Sequence, residues 1–306
     1  MVGLCGVELE HPIMNAAGTC KTVEDVAGLA RSAVSAVMVG SITRQARAGN
    51  PGNVYWSSRS YSLNSLGLPN RGLAYYAEHL PAMAKLAHDA GKPLAVSIAG
   101  FDAAEYAEMA GAVAAAGADL IELNLACPNV WDGGRQKRIA CFDLRQTETV
   151  CAGVARALAE AGAATPFGIK ISPFSDPAAL AELAELVGRL AGEGGGPRFV
   201  TAVNTFPNAL VVDEANRPVI ETGLAGLSGP ALKPVGLGQV CQLRRLLPET
   251  VQIIGVGGVS SGRDVVDYLN AGASAVQLAT AFWNRGEDPT VFGDILSGWV
   301  DETGGA

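Results

Sequence analysis

The sequence predicts an α/β fold, a single (β/α)8 barrel of the TIM-barrel type that spans residues 1–306 and carries long active-site loops. The chain has 306 residues, and one large barrel typically needs about 250. Short apolar runs bounded by turn residues occur eight times, with helix-like stretches between them. No low-complexity linker divides the chain into halves, so a doubly wound sheet is the second choice.

The eight apolar runs are the predicted strands. In chain order they are residues 13–16, 36–40, 94–98, 120–125, 167–171, 199–203, 251–255 and 275–278. The segments between them are rich in Ala, Leu and Glu at helical spacing and end near glycine, which predicts helices. The clearest predicted helices are residues 103–116, 147–161, 177–191 and 263–271. Strands that alternate with helices in this way form parallel sheets.

Two connections are longer than a barrel needs. Residues 42–72 are rich in Gly, Asn, Ser and Arg, and residues 128–145 carry Arg135, Lys137 and Arg138. In barrel enzymes the active site is formed by the loops at the C-terminal ends of the strands. Both connections are therefore predicted to be active-site loops, and residues 128–145 are the candidate lid.

Composition and charge exclude several classes of function. No apolar run approaches the roughly 20 residues that span a bilayer, and the first residues have neither a basic nor a hydrophobic signal region, so neither membrane insertion nor export is expected. A net charge of −8 repels phosphodiester backbones, which excludes nucleic acid as an expected partner. Six scattered cysteines without a C-x-x-C pair predict no metal site and indicate reduced, cytoplasmic thiols.

The most informative motif is Asn-Leu-Ala-Cys-Pro-Asn at residues 124–129, where the fourth predicted strand ends. It places the thiol of Cys127 between the carboxamides of Asn124 and Asn129. A thiol can abstract a proton, and carboxamides can bind the edge of a flat, amide-like ring because they both donate and accept hydrogen bonds. Taken by itself, the hexapeptide is more typical of a buried cysteine beside a Pro-Asn turn.

Three segments late in the chain indicate a phosphate site, and two of them, residues 223–229 and 255–259, are rich in glycine. Residues 255–259 and 277–281 follow or overlap the last two strands, where barrels often bind phosphate through backbone N–H groups. Residues 223–229 are a third segment that could form another wall of the same pocket. Each segment alone could be an ordinary turn, but the three together favour a phosphorylated cofactor.

These motifs resemble dihydroorotate dehydrogenases, the FMN-containing barrels of pyrimidine biosynthesis, over nearly the whole chain. Residues 64–70 (Asn-Ser-Leu-Gly-Leu-Pro-Asn) and residues 124–129 are most similar to the soluble class 1A branch, which uses cysteine as the base where class 2 uses serine. The matching stretches are residues 15–18, 49–51, 64–70, 122–129, 168–170, 203–205, 226–234 and 253–259.

The resemblance implies FMN as cofactor and dihydroorotate as substrate, with a hydride passing to the flavin and a proton to Cys127. The implied catalytic residues are Cys127, Lys170 and Lys21, and Lys170 would stabilise negative charge on the reduced flavin. The implied substrate-binding residues are Lys21, Asn64, Leu66, Gly67, Leu68, Asn124, Asn129, Asn204 and Thr205. The implied FMN-binding residues are Ala17, Gly18, Ser41, Asn124, Lys170, Val203, Ser228, Gly229, Gly257, Gly258, Ala279 and Thr280.

The chain departs from the class 1A pattern at Gly40. Class 1A members carry a lysine after the second strand, whereas residues 40–43 (Gly-Ser-Ile-Thr) are similar to class 2, which places its lysine in the first loop. Lys21 occupies that loop, so we infer that Lys21 replaces the missing cation. The basic stretch 130–145 is a second departure. It is explained either by a solvated loop face or by a substrate more anionic than orotate.

The sequence leaves several alternative functions open. A paralogous flavin oxidoreductase acting on another dihydropyrimidine or cyclic enamide is favoured by Gly40. An enzyme similar to tRNA dihydrouridine synthases is disfavoured by the net charge of −8, and a non-enzymatic flavin-binding role by the presence of Cys127 and Lys170. The absence of an amphipathic extension before Met1 argues against the quinone-linked membrane class. Class 1A relatives imply a homodimer and a soluble acceptor such as fumarate, and a class 1B-type partner subunit remains open.

Overall fold

Eight parallel strands form a barrel in the computed structural model, which describes residues 1–127, 129–132 and 135–304. The strands are β1 (Val2–Leu4), β2 (Val7–Leu9), β3 (Ile13–Asn15), β4 (Val37–Ile42), β5 (Tyr55–Ser57), β6 (Ser62–Asn64), β7 (Leu94–Ile98), β8 (Leu120–Asn124), β9 (Trp131–Asp132), β10 (Arg135–Gln136), β11 (Phe167–Ile171), β12 (Phe199–Ala202), β13 (Phe206–Ala209), β14 (Ala225–Ser228), β15 (Gln252–Val256) and β16 (Ala275–Leu278). The helices are α1 (Val23–Ala30), α2 (Gly72–Asp89), α3 (Ala103–Ala115), α4 (Leu144–Glu160), α5 (Pro177–Gly192), α6 (Lys233–Leu246), α7 (Gly262–Asn270), α8 (Thr280–Asn284) and α9 (Thr290–Thr303).

The barrel strands pair in the order β3, β16, β15, β12, β11, β8, β7 and β4. Each corresponds to one predicted apolar run, so the predicted α/β barrel is confirmed. The Asn15 carboxamide joins the two ends of this order. It donates to the Met38 carbonyl oxygen at 2.8 Å and accepts from the Met38 N–H at 2.8 Å. A side chain thus supplies the pair of hydrogen bonds that a backbone ladder makes elsewhere, and the barrel closes.

An antiparallel hairpin of β1 and β2 covers the N-terminal end of the barrel. Leu4 and Leu9 are fully buried and pack in one cluster with Met14, Leu120 and Phe199. This hairpin is not among the predicted strands, because runs of three residues are too short to show a periodic pattern. It makes the lower part of the barrel a packed apolar core and leaves the opposite end for chemistry.

The helices begin where side chains cap them. Thr22 and Asp25 form a capping box at α1, and Asp102, Asp143 and Ser261 accept backbone N–H groups at the starts of α3, α4 and α7. Each such cap stabilises its helix by about 1 kcal/mol. The four clearest predicted helices are all present, and α4 begins earlier than predicted because Asp143 caps it.

A second, antiparallel sheet pairs β13, β14, β6 and β5 in that order. β5 and β6 lie inside the predicted loop of residues 42–72, so part of that connection is strand rather than loop. The pairing is long-range, since Leu63 of β6 faces Leu227 of β14, and a partner so distant in the sequence leaves no local signal. No helix in the described part of the chain is long and apolar enough to cross a membrane.

Candidate active site

A cavity of about 950 Å³, partly open to solvent, lies at the C-terminal ends of the barrel strands. All the site residues predicted from the sequence line it, and the structure therefore brings them together, while the role of each remains a prediction. They are Ala17, Gly18, Lys21, Ser41, Asn64, Leu66, Gly67, Leu68, Asn124, Cys127, Asn129, Lys170, Val203, Asn204, Thr205, Ser228, Gly229, Gly257, Gly258, Ala279 and Thr280.

Cys127 lies just beyond the end of β8 and is partly exposed to this cavity. Burial raises the pKa of its thiol above the usual value, while the backbone N–H of Asn129 and the cations of Lys137 and Arg47 lower it. A thiol must lose its proton before it can act as a base. The surrounding cations therefore partly offset a burial that would otherwise keep Cys127 protonated.

Lys137, in the predicted lid, lies close enough to this thiol to act on it electrostatically. Its ammonium donates to the Gly100 carbonyl oxygen and lies 4.6 Å from the centre of the Phe101 ring. The Arg47 guanidinium lies 5.2 Å from the same ring centre. Two cations are thus held beside Cys127 by one aromatic side chain.

The rest of the predicted lid is described in part. Arg138 is exposed. Pro128, Gly133 and Gly134 lie outside the described residues, as does the side chain of Arg135. The prediction that residues 128–145 close over the site therefore stays a prediction.

The four predicted asparagines form two hydrogen-bonded pairs. Asn124 donates to Ser41 Oγ at 2.9 Å and accepts from Asn204 Nδ2 at 3.2 Å. Asn129 donates to the backbone carbonyl oxygen of Asn64 at 2.7 Å. These bonds fix how the carboxamides of Asn124, Asn129 and Asn204 point. The remaining donors and acceptors of the set are then available to a ligand with alternating C=O and N–H groups.

The hydroxyl of Thr205 fits a site that binds a polar ligand. Its Oγ1 atom is buried and has no hydrogen-bond partner among the described residues. Gly226 leaves it room, since a Cβ atom on Gly226 would lie 2.0 Å from Thr205 Oγ1. Buried polar groups nearly always have a partner, and a lone one calls for an explanation. A polar molecule bound in the cavity would give Thr205 Oγ1 its partner.

Lys21 lies beside the position where class 1A enzymes carry their lysine. The N–H of Gly40 donates to the carbonyl oxygen of Cys20 at 3.0 Å, so the residue after Cys20 is a neighbour of Gly40. Burial lowers the pKa of Lys21, and Asp25 acts in the opposite direction. Within the described residues the Lys21 ammonium forms no ion pair, so its charge is available to an anionic ligand.

Gly40 itself has no room for a side chain. Its φ is 113°, a conformation that favours glycine, and a Cβ atom would lie 2.3 Å from the carbonyl oxygen of Ser97. A lysine cannot replace Gly40 without moving the backbone of β4 or β7. The departure from the class 1A pattern is therefore built into the barrel, and Lys21, which follows the hydrogen-bond partner of Gly40 in the sequence, is the cation that the cavity has close to Gly40 in the chain.

Glycines form a cradle at the other side of the cavity. Gly229, Gly257 and Gly258 have φ values of 78°, 132° and 71°. A Cβ atom on Gly258 would lie 2.7 Å from the Gly229 carbonyl oxygen and 3.1 Å from the backbone nitrogen of Lys233. Such close, glycine-only backbone turns present N–H groups to anions. The cradle fits the phosphate end of the predicted cofactor.

Sequence reasoning misses several apolar residues of the lining. Leu278 and Val256 end the barrel strands β16 and β15, and that position is the signal that could have identified them. Trp283 has no such signal. It lies in α8 and packs edge-on against Tyr55 with ring centres 5.3 Å apart. The lining residues that were not predicted are Ala16, Pro69, Leu232, Val256, Val259, Leu278 and Trp283.

Fold and site together define a barrel whose cavity, at the C-terminal ends of the strands, is lined by carboxamides, a thiol and a glycine cradle, as is typical of enzymes that bind small molecules. Comparison with known proteins gives the family. The family model for dihydroorotate dehydrogenase matches residues 1–300. The chain therefore belongs to the dihydroorotate dehydrogenase family, whose members are oxidoreductases.

Individual relatives agree with this assignment. The chain is 33% identical to "Dihydroorotate dehydrogenase (fumarate)" of Trypanosoma brucei brucei, over 95% of this chain and 89% of that protein. It is also 33% identical to "Dihydroorotate dehydrogenase A (fumarate)" of Lactococcus lactis subsp. cremoris, over 94% and 88%. A crystal structure of DHODH from Eimeria tenella in complex with ferulenol superposes with a TM-score of 0.82, at 22% identity, over 98% of this chain and 83% of that chain. This last likeness concerns the fold.

Proposed function

We propose that the protein oxidises (S)-dihydroorotate to orotate in de novo pyrimidine biosynthesis, with FMN as cofactor and fumarate as the final electron acceptor. The observation that carries the proposal is the cavity in which Cys127 meets two pairs of asparagines and a glycine cradle. Relatives named for this activity with fumarate, 33% identical over most of the chain, support both the substrate and the acceptor.

The asparagines and Cys127 have different proposed roles in this reaction. FMN, when bound, supplies the hydride acceptor. Asn64, Asn124, Asn129 and Asn204 orient the pyrimidine ring, because carboxamides match its alternating C=O and N–H groups. Cys127, as thiolate, takes the proton that leaves the ring carbon adjacent to the one that loses the hydride.

The cofactor contacts are proposed from the same cavity. The backbone of Gly229, Gly257 and Gly258 holds the phosphate, and Lys170 places its ammonium where the reduced ring accumulates negative charge. The remaining proposed FMN-binding residues are Ala17, Gly18, Ser41, Asn124, Val203, Ser228, Ala279 and Thr280.

A two-substrate assay tests the proposal. The purified protein with FMN should form orotate from dihydroorotate with fumarate present, and succinate should appear in equal amount. NAD and a soluble quinone serve as alternative acceptors. Orotate formation only with NAD or quinone would contradict the fumarate assignment, and no orotate with any acceptor would contradict the substrate.

Lys21→Ala tests the substrate carboxylate. We propose that the Lys21 ammonium pairs with it, since this cation lines the cavity beside Gly40. Loss of a charged hydrogen bond costs about 1.5–3 kcal/mol, so KM for dihydroorotate should rise roughly 10- to 100-fold. Reduction of the flavin by dihydrouracil, which has no carboxylate, should not change.

A matched control is available on α2. Lys85→Ala removes an exposed lysine that pairs with Asp89 and should leave both reactions unaltered. Equal losses with dihydroorotate and dihydrouracil in the Lys21 variant would exclude the carboxylate role and would favour a paralogue that acts on another dihydropyrimidine.

The pH dependence of flavin reduction tests the base. Burial raises the pKa of Cys127, and only the thiolate accepts the proton. The rate constant for flavin reduction by dihydroorotate should therefore rise with pH and level off above the raised thiol pKa. Lys137→Met removes a cation that lowers this pKa, so the rising limb should move to higher pH and the rate at neutral pH should fall.

Arg138→Met is the control for that measurement, because Arg138 is charged, exposed and adjacent in sequence. Its profile should match that of the unmodified protein. A Lys137→Met profile that keeps its midpoint would show that Lys137 does not act on the base.

We further propose that residues 1–306 form one FMN-binding domain, that the protein acts in the cytoplasm, and that it is a homodimer. The barrel strands extend from Ile13 to Leu278, and all six cysteines are free thiols, as is usual in a reducing compartment.

The proposed dimer rests on apolar side chains that are exposed on and next to β13, namely Phe206, Leu210 and Val212. Exposed apolar surfaces of this kind often form interfaces between protein chains. A monomer mass in sedimentation equilibrium at micromolar concentration would contradict the dimer.

A further inference from the structure

A buried polar layer lies inside the barrel beneath the cavity. Along β8, Leu120 packs in the apolar cluster at the closed end, and Asn124 reaches the cavity. Glu122 lies between them on the same inward face, because side chains alternate along a strand. It is fully buried, with 0% of its surface exposed. A carboxylate at such a position is costly unless it has a partner.

The partners of Glu122 are Lys170 and Gln277. The Lys170 ammonium lies 3.7 Å from Glu122 Oε1. The Gln277 carboxamide bridges the two, since its nitrogen donates to Glu122 Oε2 at 3.3 Å and its oxygen accepts from Lys170 Nζ at 3.3 Å. The amide orientation is therefore the one that suits both charges.

This triad is incomplete on the side of Lys170. Glu122 Oε1 is buried and has no hydrogen-bond partner among the described residues. Lys170 is itself buried, yet its side chain lines the cavity. The ammonium has three donors, of which Gln277 takes one. Lys170 thus lies between the buried carboxylate of Glu122 on one side and the cavity on the other. The hydrogen bond to Gln277 holds the ammonium between the two.

A buried ion pair is weak evidence for stability, because desolvation offsets most of the attraction. Its effect on a group in the cavity is large, since charges in a protein interior are poorly screened. A carboxylate below the ammonium weakens the positive potential that a cofactor above it experiences. The bridging amide has the opposite effect, because it keeps the ammonium from moving down to Glu122.

We propose that Glu122 and Gln277 are positioning residues that set the reduction potential of the bound flavin through Lys170. The proposal deepens the proposed function and rests on its FMN site. Glu122 makes the flavin harder to reduce by opposing the charge of Lys170. Gln277 makes it easier to reduce by holding the ammonium toward the cavity.

Two nearly isosteric substitutions test the proposal with opposite expected signs. The midpoint potential of the bound FMN is measured by slow enzymatic reduction against a reference dye, without dihydroorotate. In Glu122→Gln, the ratio of reduced to oxidised flavin at a fixed dye potential should rise about tenfold, equivalent to about +30 mV for a two-electron couple. In Gln277→Met, the ratio should fall, because the ammonium is free to approach Glu122.

Glu182→Gln is the control, since it removes one negative charge from an exposed site on α5 and should leave the potential unchanged. An unchanged potential in Glu122→Gln, or shifts of both variants in the same direction, would overturn the proposal.

The measurement separates this proposal from the proposed function. The potential is read without substrate, so a flavoprotein that ignores dihydroorotate still tests the triad. A protein that takes up no FMN would contradict both.

Discussion

Flavin reduction by dihydroorotate should slow by about 100-fold or more in Cys127→Ala, the expected loss when a positioned base is removed. The variant should still bind FMN and orotate, because the asparagine pairs and the glycine cradle do not depend on the thiol. Stopped-flow mixing without oxygen measures the rate directly. Cys127→Ser should retain part of the rate at high pH, since a hydroxyl is a poorer base in the same place.

Cys241→Ala is the matched control for this experiment. Cys241 is a partly buried cysteine of α6 that does not line the cavity, and its loss should leave the rate unaltered. A Cys127→Ala variant that reduces flavin at full speed would assign the base to another group.

The second large effect is expected at Gly40. Gly40→Lys should lower the thermal midpoint by about 5–10 °C and abolish FMN binding. The new Cβ atom would lie 2.3 Å from the carbonyl oxygen of Ser97 at a φ of 113°, and strain with overpacking together costs about 3 kcal/mol or more. The neighbouring Ser41 lines the cavity and accepts from Asn124, so any backbone shift reaches the site.

Gly40→Ala separates shape from charge. It should lose almost as much as the lysine variant, because the Cβ atom alone makes the clash. Gly238→Lys is the control, since a Cβ atom at this helical glycine meets nothing within 4 Å. A stable, yellow Gly40→Lys variant that binds dihydroorotate more tightly would show instead that the class 1A arrangement fits this barrel.

The sequence predicts the barrel well because each wall strand is a short apolar run that is buried on both faces. The runs at 13–16 and 275–278 mark the first and last strands within one residue. It does not predict the β1–β2 hairpin or the sheet of β5, β6, β13 and β14. Those strands are three or four residues long and owe their existence to partners far along the chain.

The candidate site is likewise predicted only in part from the sequence. Motifs with a chemical rationale, such as Asn-Leu-Ala-Cys-Pro-Asn and the glycine clusters, identify residues that do line one cavity. The sequence assigns no role to Glu122 or Gln277, because each is a polar residue inside an otherwise mostly apolar strand. Only the barrel geometry shows that both point inward to Lys170. The closeness of Lys21 to Gly40 likewise depends on a backbone hydrogen bond from the Gly40 N–H to the Cys20 carbonyl oxygen, which no sequence pattern encodes.

The most direct test is to mix the FMN-loaded protein with dihydroorotate in the absence of oxygen and to follow the visible absorbance of the flavin. The proposed function predicts rapid bleaching with one orotate formed per flavin, and recovery of the colour when fumarate is added. A flavin that stays oxidised, and whose spectrum orotate does not perturb, would contradict dihydroorotate as the substrate.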